Sequence, residues 1–146
     1  KGIKMGFSGK HICNLDLKGR FFLPAKFRKD LEVRKVFVTK GFDKCLNLYR
    51  IEDWGIFENK LLSLPVSKSE VRNVLRYFIG SGERIEIDGK GRIKIPQELL
   101  DFVGIDKQLV ALGQGNRIEL WSPDALSEVE QKMYKTIEDS FDKLDI

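Results

Sequence analysis

Two five-residue segments concentrate the chemistry of this chain: Asp16-Leu17-Lys18-Gly19-Arg20 and Asp88-Gly89-Lys90-Gly91-Arg92. Each holds a carboxylate, an ammonium and a guanidinium around a glycine. Asp at the first position and Gly at the fourth fit a type I turn closing a bulged hairpin. Such a turn sets Lys18 close to Arg20, and Lys90 close to Arg92, on a rigid projecting element. Both cation types bind phosphates, and a guanidinium also reads guanine edges through paired donors. Gly19 and Gly91 satisfy the turn and leave room for a nucleic-acid backbone to approach. Asp16 and Asp88 accept turn N–H groups or orient the arginine fork. A plainer reading keeps Asp and Gly for geometry and makes each Arg a brace for its Asp. The expectation is DNA contact by Arg20, Lys18, Arg92 and Lys90, with Asp16, Gly19, Asp88 and Gly91 structuring the motif.

The two segments lie 72 residues apart, and the same offset pairs Pro24 with Pro96, Lys35 with Lys107, Val38 with Val110, Gly41 with Gly113, Leu48 with Leu120 and Tyr49 with Trp121. One ungapped register thus covers 16–54 against 88–126, the signature of a duplicated module. Within each copy, alternation places strands at 11–15 and 83–87 before the turn, and at 20–23 and 92–95 after it. Pro24 and Pro96 suit the first position of a short helix, over 25–31 and 97–103. Apolar strands at 36–40 and 109–112 lead through glycine turns into 46–49 and 118–121. Two further helices flank the copies. Ser67-x-x-Glu70 reads as a capping box ahead of Val71, Val74, Leu75 and Phe78. Ser122-Pro123-Asp124 opens a helix striped by Leu126, Val129, Met133, Ile137, Phe141 and Leu144. Packing on the chain's own core is the expected use of both stripes, and subunit contact the alternative.

Composition restricts the other classes of function. The chain has 146 residues, 42% hydrophobic and 33% charged, with net charge +4. Residues 1–60 hold 14 Lys/Arg against 7 Asp/Glu, whereas 61–146 hold 12 against 15. The basic half suits a polyanion, although an unevenly charged solvated surface would look the same. No apolar run reaches the roughly 20 residues of a membrane span, and the start lacks a secretory pattern. Residues 1–4 precede Met5 and read as a cloning remnant or an alternative start. Cys13 and Cys45 lack C-x-x-C spacing and are expected as free thiols of a cytoplasmic protein. His11 is the sole histidine, so neither a His-based catalytic pair nor a multi-His metal site is available. Gly80-Ser81-Gly82 and Gly113-Gln114-Gly115 lack the phosphate-loop pattern. The expectation is no enzyme, no cofactor, no metal, no small-molecule substrate and no membrane partner.

D-L-K-G-R-F-F-L-P-A-K-F-R, D-G-K-G-R-I-K-I-P-Q-E-L-L and the later V-A-L-G-Q-G-N-R-I-E-L-W-S-P closely resemble the MraZ family of the AbrB/SpoVT-like superfamily. The resemblance runs from about Met5 to Trp121. It implies an α+β, β-rich fold of two tandem swapped-hairpin modules forming a pseudo-symmetric barrel with flanking helices. The corresponding division is 5–54, connecting helices at 55–80, 81–124, and a C-terminal helix at 125–146. It further implies a nucleoid-associated transcriptional regulator, assembled as a ring-like homo-oligomer. Such a regulator binds short direct repeats in double-stranded DNA at the promoter of its own division and cell-wall gene cluster. The family's DNA-contacting motif falls on Asp16, Lys18, Arg20 and Asp88, Lys90, Arg92. Gln97-Glu98 stand where the first copy has Ala25-Lys26, so the second turn is expected in more acidic surroundings, and Arg20 ranks first. Phe21-Phe22 are bulkier than Ile93-Lys94, as packing between modules or subunits would require. The alternative function is a protein-binding assembly or antitoxin-like module without DNA specificity. Target sequence, direction of regulation and subunit number are not legible.

Overall fold

A computed structural model describes residues 6–31 and 34–146; residues 1–4 and Met5, where the first module was placed to begin, lie outside them. The alternating segments form the expected strands: β1 (Lys10–Asn14), β2 (Arg20–Phe22), β3 (Lys35–Lys40), β4 (Leu46–Arg50), β5 (Glu83–Glu86), β6 (Arg92–Lys94), β7 (Gln108–Gly113) and β8 (Ile118–Trp121). Helices α1 (Ala25–Arg28) and α4 (Gln97–Val103) follow the prolines. Pro24 and Pro96 are the N-caps of these helices, one position earlier than expected, with φ of −50° and −55° in extended backbone. Helices α2 (Ile51–Leu62) and α3 (Ser69–Phe78) separate the copies, and α5 (Pro123–Lys143) closes the chain.

The pairing interleaves the copies. Six antiparallel strands run in the order β1-β7-β8-β4-β3-β5, and β2 pairs with β6 in a separate ribbon. Only β3·β4 and β7·β8 join strands of one copy; β1·β7, β3·β5, β4·β8 and β2·β6 all cross between copies. The sheet is open, with β1 and β5 at its edges, so the hydrogen bonding does not close the expected barrel. The reason lies at the repeated turns, where β1 and β2 part to join different sheets instead of continuing as one ladder. The ribbon still shares a core with the sheet, since Phe21 and Ile93 face each other across it and both are buried.

The ungapped repeat register is one residue off in the middle of each copy. Val38 pairs with Leu48 and Ala111 with Leu120, so the structural counterpart of Val38 is Ala111, at an offset of 73. An extra residue between Pro96 and β7 is cancelled by an extra residue in the turn between β3 and β4. A shift of one exchanges the two faces of a strand. The corrected register puts Val38 and Ala111 together in the inner core beneath the ribbon. Phe37 and its counterpart Val110 instead lie on the outer face.

The outer face is covered in two halves. Phe37, Tyr49, Trp54 and Phe78 cluster under α2 and α3, with the Phe37 ring stacked on Trp54 at 3.9 Å between centroids. The α3 stripe is therefore core, as expected. Its capping box does not form, because the chain turns at Pro65–Lys68 and the helix starts only at Ser69, with Lys68 as an N-cap without a side-chain bond. The start of α5 behaves as expected: Ser122 caps it, its hydroxyl accepting from the Ala125 amide at 3.1 Å. Leu126 packs with Cys45, Val110 and Trp121. Beyond Glu130, α5 is exposed all round, leaving Met133, Ile137 and Phe141 in solvent. The expected core packing of this stripe thus ends after its first turns.

Candidate nucleic-acid interface

The repeated turns are built identically. In the first, the Asp16 amide donates to the Arg20 carbonyl at 2.9 Å and the Gly19 amide to the Asp16 carbonyl at 3.1 Å. Asp16 Oδ1 accepts the amides of Lys18 and Arg20, both at 2.9 Å, while Oδ2 accepts Arg20 Nε at 2.8 Å. In the second, Asp88 Oδ1 accepts the amides of Lys90 at 2.9 Å and Arg92 at 2.8 Å, and Oδ2 takes Arg92 Nε at 2.8 Å. Gly19 and Gly91 hold φ of +80° and +86°, a left-handed backbone that disfavours any side chain. Each turn is also tied to the other copy: the Gly91 carbonyl accepts the Leu23 amide, and the Gly19 carbonyl the Ile95 amide, both at 3.1 Å.

The carboxylates are therefore turn architects and braces together. Backbone donation from Arg92, followed by its side chain and the Lys90 amide, lowers the Asp88 carboxyl to about 2. Backbone donation from Arg20 lowers Asp16 in the same direction. Both stay ionised at neutral pH and hold each guanidinium by Nε alone. Among the described residues, the two terminal nitrogens of Arg20 and of Arg92 have no acceptor. Lys18 and Lys90 are exposed beside them. Each turn thus presents cationic donors on a fixed backbone, the arrangement that binds phosphate or a base edge.

Strand exchange reverses the surroundings expected from sequence adjacency. Gln97, Leu100 and Asp101 of α4, with Asp106 and Lys107, line the first turn, not their own. Glu98 lies elsewhere, beside Lys40 and Arg76. The second turn receives basic residues of the first copy. Arg34 donates to the Asp88 carbonyl, and the Arg28 guanidinium lies against Gly91, where a Cβ would strike it. Reading along the chain missed Arg28 and Arg34 because their proximity depends on the exchange; the basic run after Pro24 was the only signal. The tips differ too, with Leu17 fully exposed on the first turn and Gly89 at the equivalent place on the second.

The other reactive side chains are used structurally. His11 meets Phe27 edge-on at 5.2 Å between centroids. Burial pushes the Cys13 thiol up to about 11 and the Cys45 thiol to about 12, and both are free. Among the described residues no group of three or more His, Cys, Asp or Glu side chains could hold a metal ion. No helix among them is long and apolar enough to cross a membrane.

The family model described as "MraZ protein, putative antitoxin-like" matches residues 6–77 and again 78–145. The chain belongs to the MraZ family. The double match reproduces the duplication read from the 72-residue offset, each MraZ segment holding one Asp-x-Lys-Gly-Arg turn. A fainter likeness joins this MraZ-family chain to the solved chain titled "The solution structure of PHS018 from pyrococcus horikoshii". It has 16% identity over 78% of this chain and 92% of that one, and its TM-score of 0.34 has no bearing on the fold.

Proposed function

We propose that this MraZ-family chain is a sequence-specific DNA-binding transcriptional regulator. Lys18, Arg20, Lys90 and Arg92 are its DNA contacts, and Asp16, Gly19, Asp88 and Gly91 hold them in place. The observation that carries the reading is the turn built twice, in which an ionised Asp fixes an arginine by Nε and leaves its terminal donors without an acceptor among the described residues. Short direct repeats in the promoter of its own division and cell-wall gene cluster are the proposed target. Each tip is small, so several tips on a ring-like homo-oligomer would bind repeated sites by avidity. The cytoplasm, at the nucleoid, is the corresponding location. With both thiols protonated and His11 packed on an aromatic ring, an enzymatic role has no machinery among these groups.

A gel shift with the chain's own upstream region and a scrambled duplex tests the proposal. Wild type should retard the upstream duplex selectively, and Arg20→Ala/Arg92→Ala should lose that selectivity. Selective binding undiminished in the double variant would overturn it. The second reading, a protein-binding assembly or antitoxin-like module, is favoured by the exposed stripe of Met133, Ile137 and Phe141. It expects no selective shift by the wild type, and function abolished by changes in the stripe instead of the turns.

A further inference from the structure

We infer that Arg28 and Arg34 of the first copy complete a phosphate-binding site on the second copy's turn, making that turn the stronger of the two DNA contacts. The inference rests on the DNA-binding reading above and asks which residues of that interface hold the backbone. Arg34 is anchored through a hydrogen bond to the Asp88 carbonyl, and Arg28 lies over the α-carbon of Gly91. Both are exposed, as is Lys90. With Arg92 they gather four cations around one turn, three of them guanidiniums suited to paired bonds with phosphate.

Among the described residues, the first turn has no equivalent cluster. Gly19 faces Leu100, the counterpart of Arg28, with Cδ1 at 3.5 Å from where a Cβ would stand. Lys107 matches Arg34: its carbonyl accepts the Leu15 amide at 2.9 Å, just as the Arg34 carbonyl accepts the Ile87 amide at 2.9 Å. That lysine shares its surroundings with Asp101 and Asp106. Carboxylates repel a phosphate backbone over the same short distances at which the lysine attracts it. The tips act in the same direction. Leu17 carries a fully exposed isobutyl group, whereas a Cβ at Gly89 would meet nothing within 4 Å, so the second turn can approach a backbone more closely. The contribution is sequence-independent, so it should strengthen binding to any duplex while the turn donors retain selectivity.

Fluorescence anisotropy with the upstream duplex and a scrambled duplex, across a salt series, tests the inference on the full chain. Arg92→Ala should weaken binding more than Arg20→Ala. Arg28→Ala/Arg34→Ala should weaken binding to both duplexes by roughly tenfold or more at 0.1 M salt. It should also flatten the salt slope by about 1.8, the equivalent of two neutralised phosphates. Arg28→Lys/Arg34→Lys, keeping the charges, should restore most of the slope, and a thermal melt of each variant separates weakened DNA binding from impaired folding. Asp101→Asn/Asp106→Asn, at exposed positions, should raise affinity by strengthening the first turn. The inference fails if the folded Arg28→Ala/Arg34→Ala variant keeps wild-type affinity and slope, or if Arg20→Ala is the more damaging single change. If wild type binds neither duplex, the DNA-binding reading fails instead.

Discussion

At the residue scale, Asp88 does most to fix the second turn, since one carboxylate satisfies two backbone amides and one guanidinium nitrogen. Its carboxyl lies at about 2, against an ordinary value of 3.8. A depressed carboxylate stabilises the fold fully above the ordinary value and loses that contribution as pH falls through the folded one. The hairpin should therefore be intact at neutral pH and loosen between about pH 4 and pH 2. A carboxyl-carbon NMR titration should place the Asp88 midpoint near 2; a midpoint at the ordinary value would show that the three donors are not held in solution. The chemistry of these residues was legible in the sequence, because Asp-x-Lys-Gly-Arg allows few turn geometries. Their neighbours were not, because Arg28 and Arg34 reach the second turn only through strand exchange.

At the element scale, the ribbon of β2 and β6 is what places both turns, and its centre is the Phe21–Ile93 pair. Truncating buried Phe21 removes an aromatic from the shared core, at a cost of about 3–5 kcal/mol. Denaturant unfolding of Phe21→Ala should show that destabilisation in a single transition, because the copies share one core. Two transitions, with one copy melting alone, would contradict the interleaved pairing. Strand positions followed from alternation and glycine turns, and the Ser122 cap from its Ser-Pro-Asp pattern. The one-residue shift between Val38 and Ala111 is invisible in the sequence because two insertions cancel and leave the flanking repeat in register. The failed capping box has a local cause too: Pro65 starts a turn that occupies Ser67, so the N-cap falls one residue later, on Lys68.

At the scale of the whole molecule, the chain exposes two surfaces of different character, the cationic turns and the apolar outer half of α5. Met133, Ile137 and Phe141 recur every four residues on a helix with no covering partner among the described residues, which is the pattern of a helix–helix contact. Ile137→Asp/Phe141→Asp should leave the thermal melt nearly unchanged while lowering the mass measured by light scattering. An unchanged mass would contradict a subunit contact through α5. Such a disruption of assembly should also weaken binding to repeated DNA sites more than to a single site, since avidity depends on linked tips. The turns are tested most directly by the salt dependence of binding to the upstream duplex, compared between wild type and the Lys18→Ala/Arg20→Ala/Lys90→Ala/Arg92→Ala variant. If all four cations meet phosphates, the slope of log K against log salt should flatten by roughly 3.6 per chain, at about 0.9 for each phosphate no longer neutralised. A folded variant whose slope and affinity match wild type would contradict DNA contact by the turns.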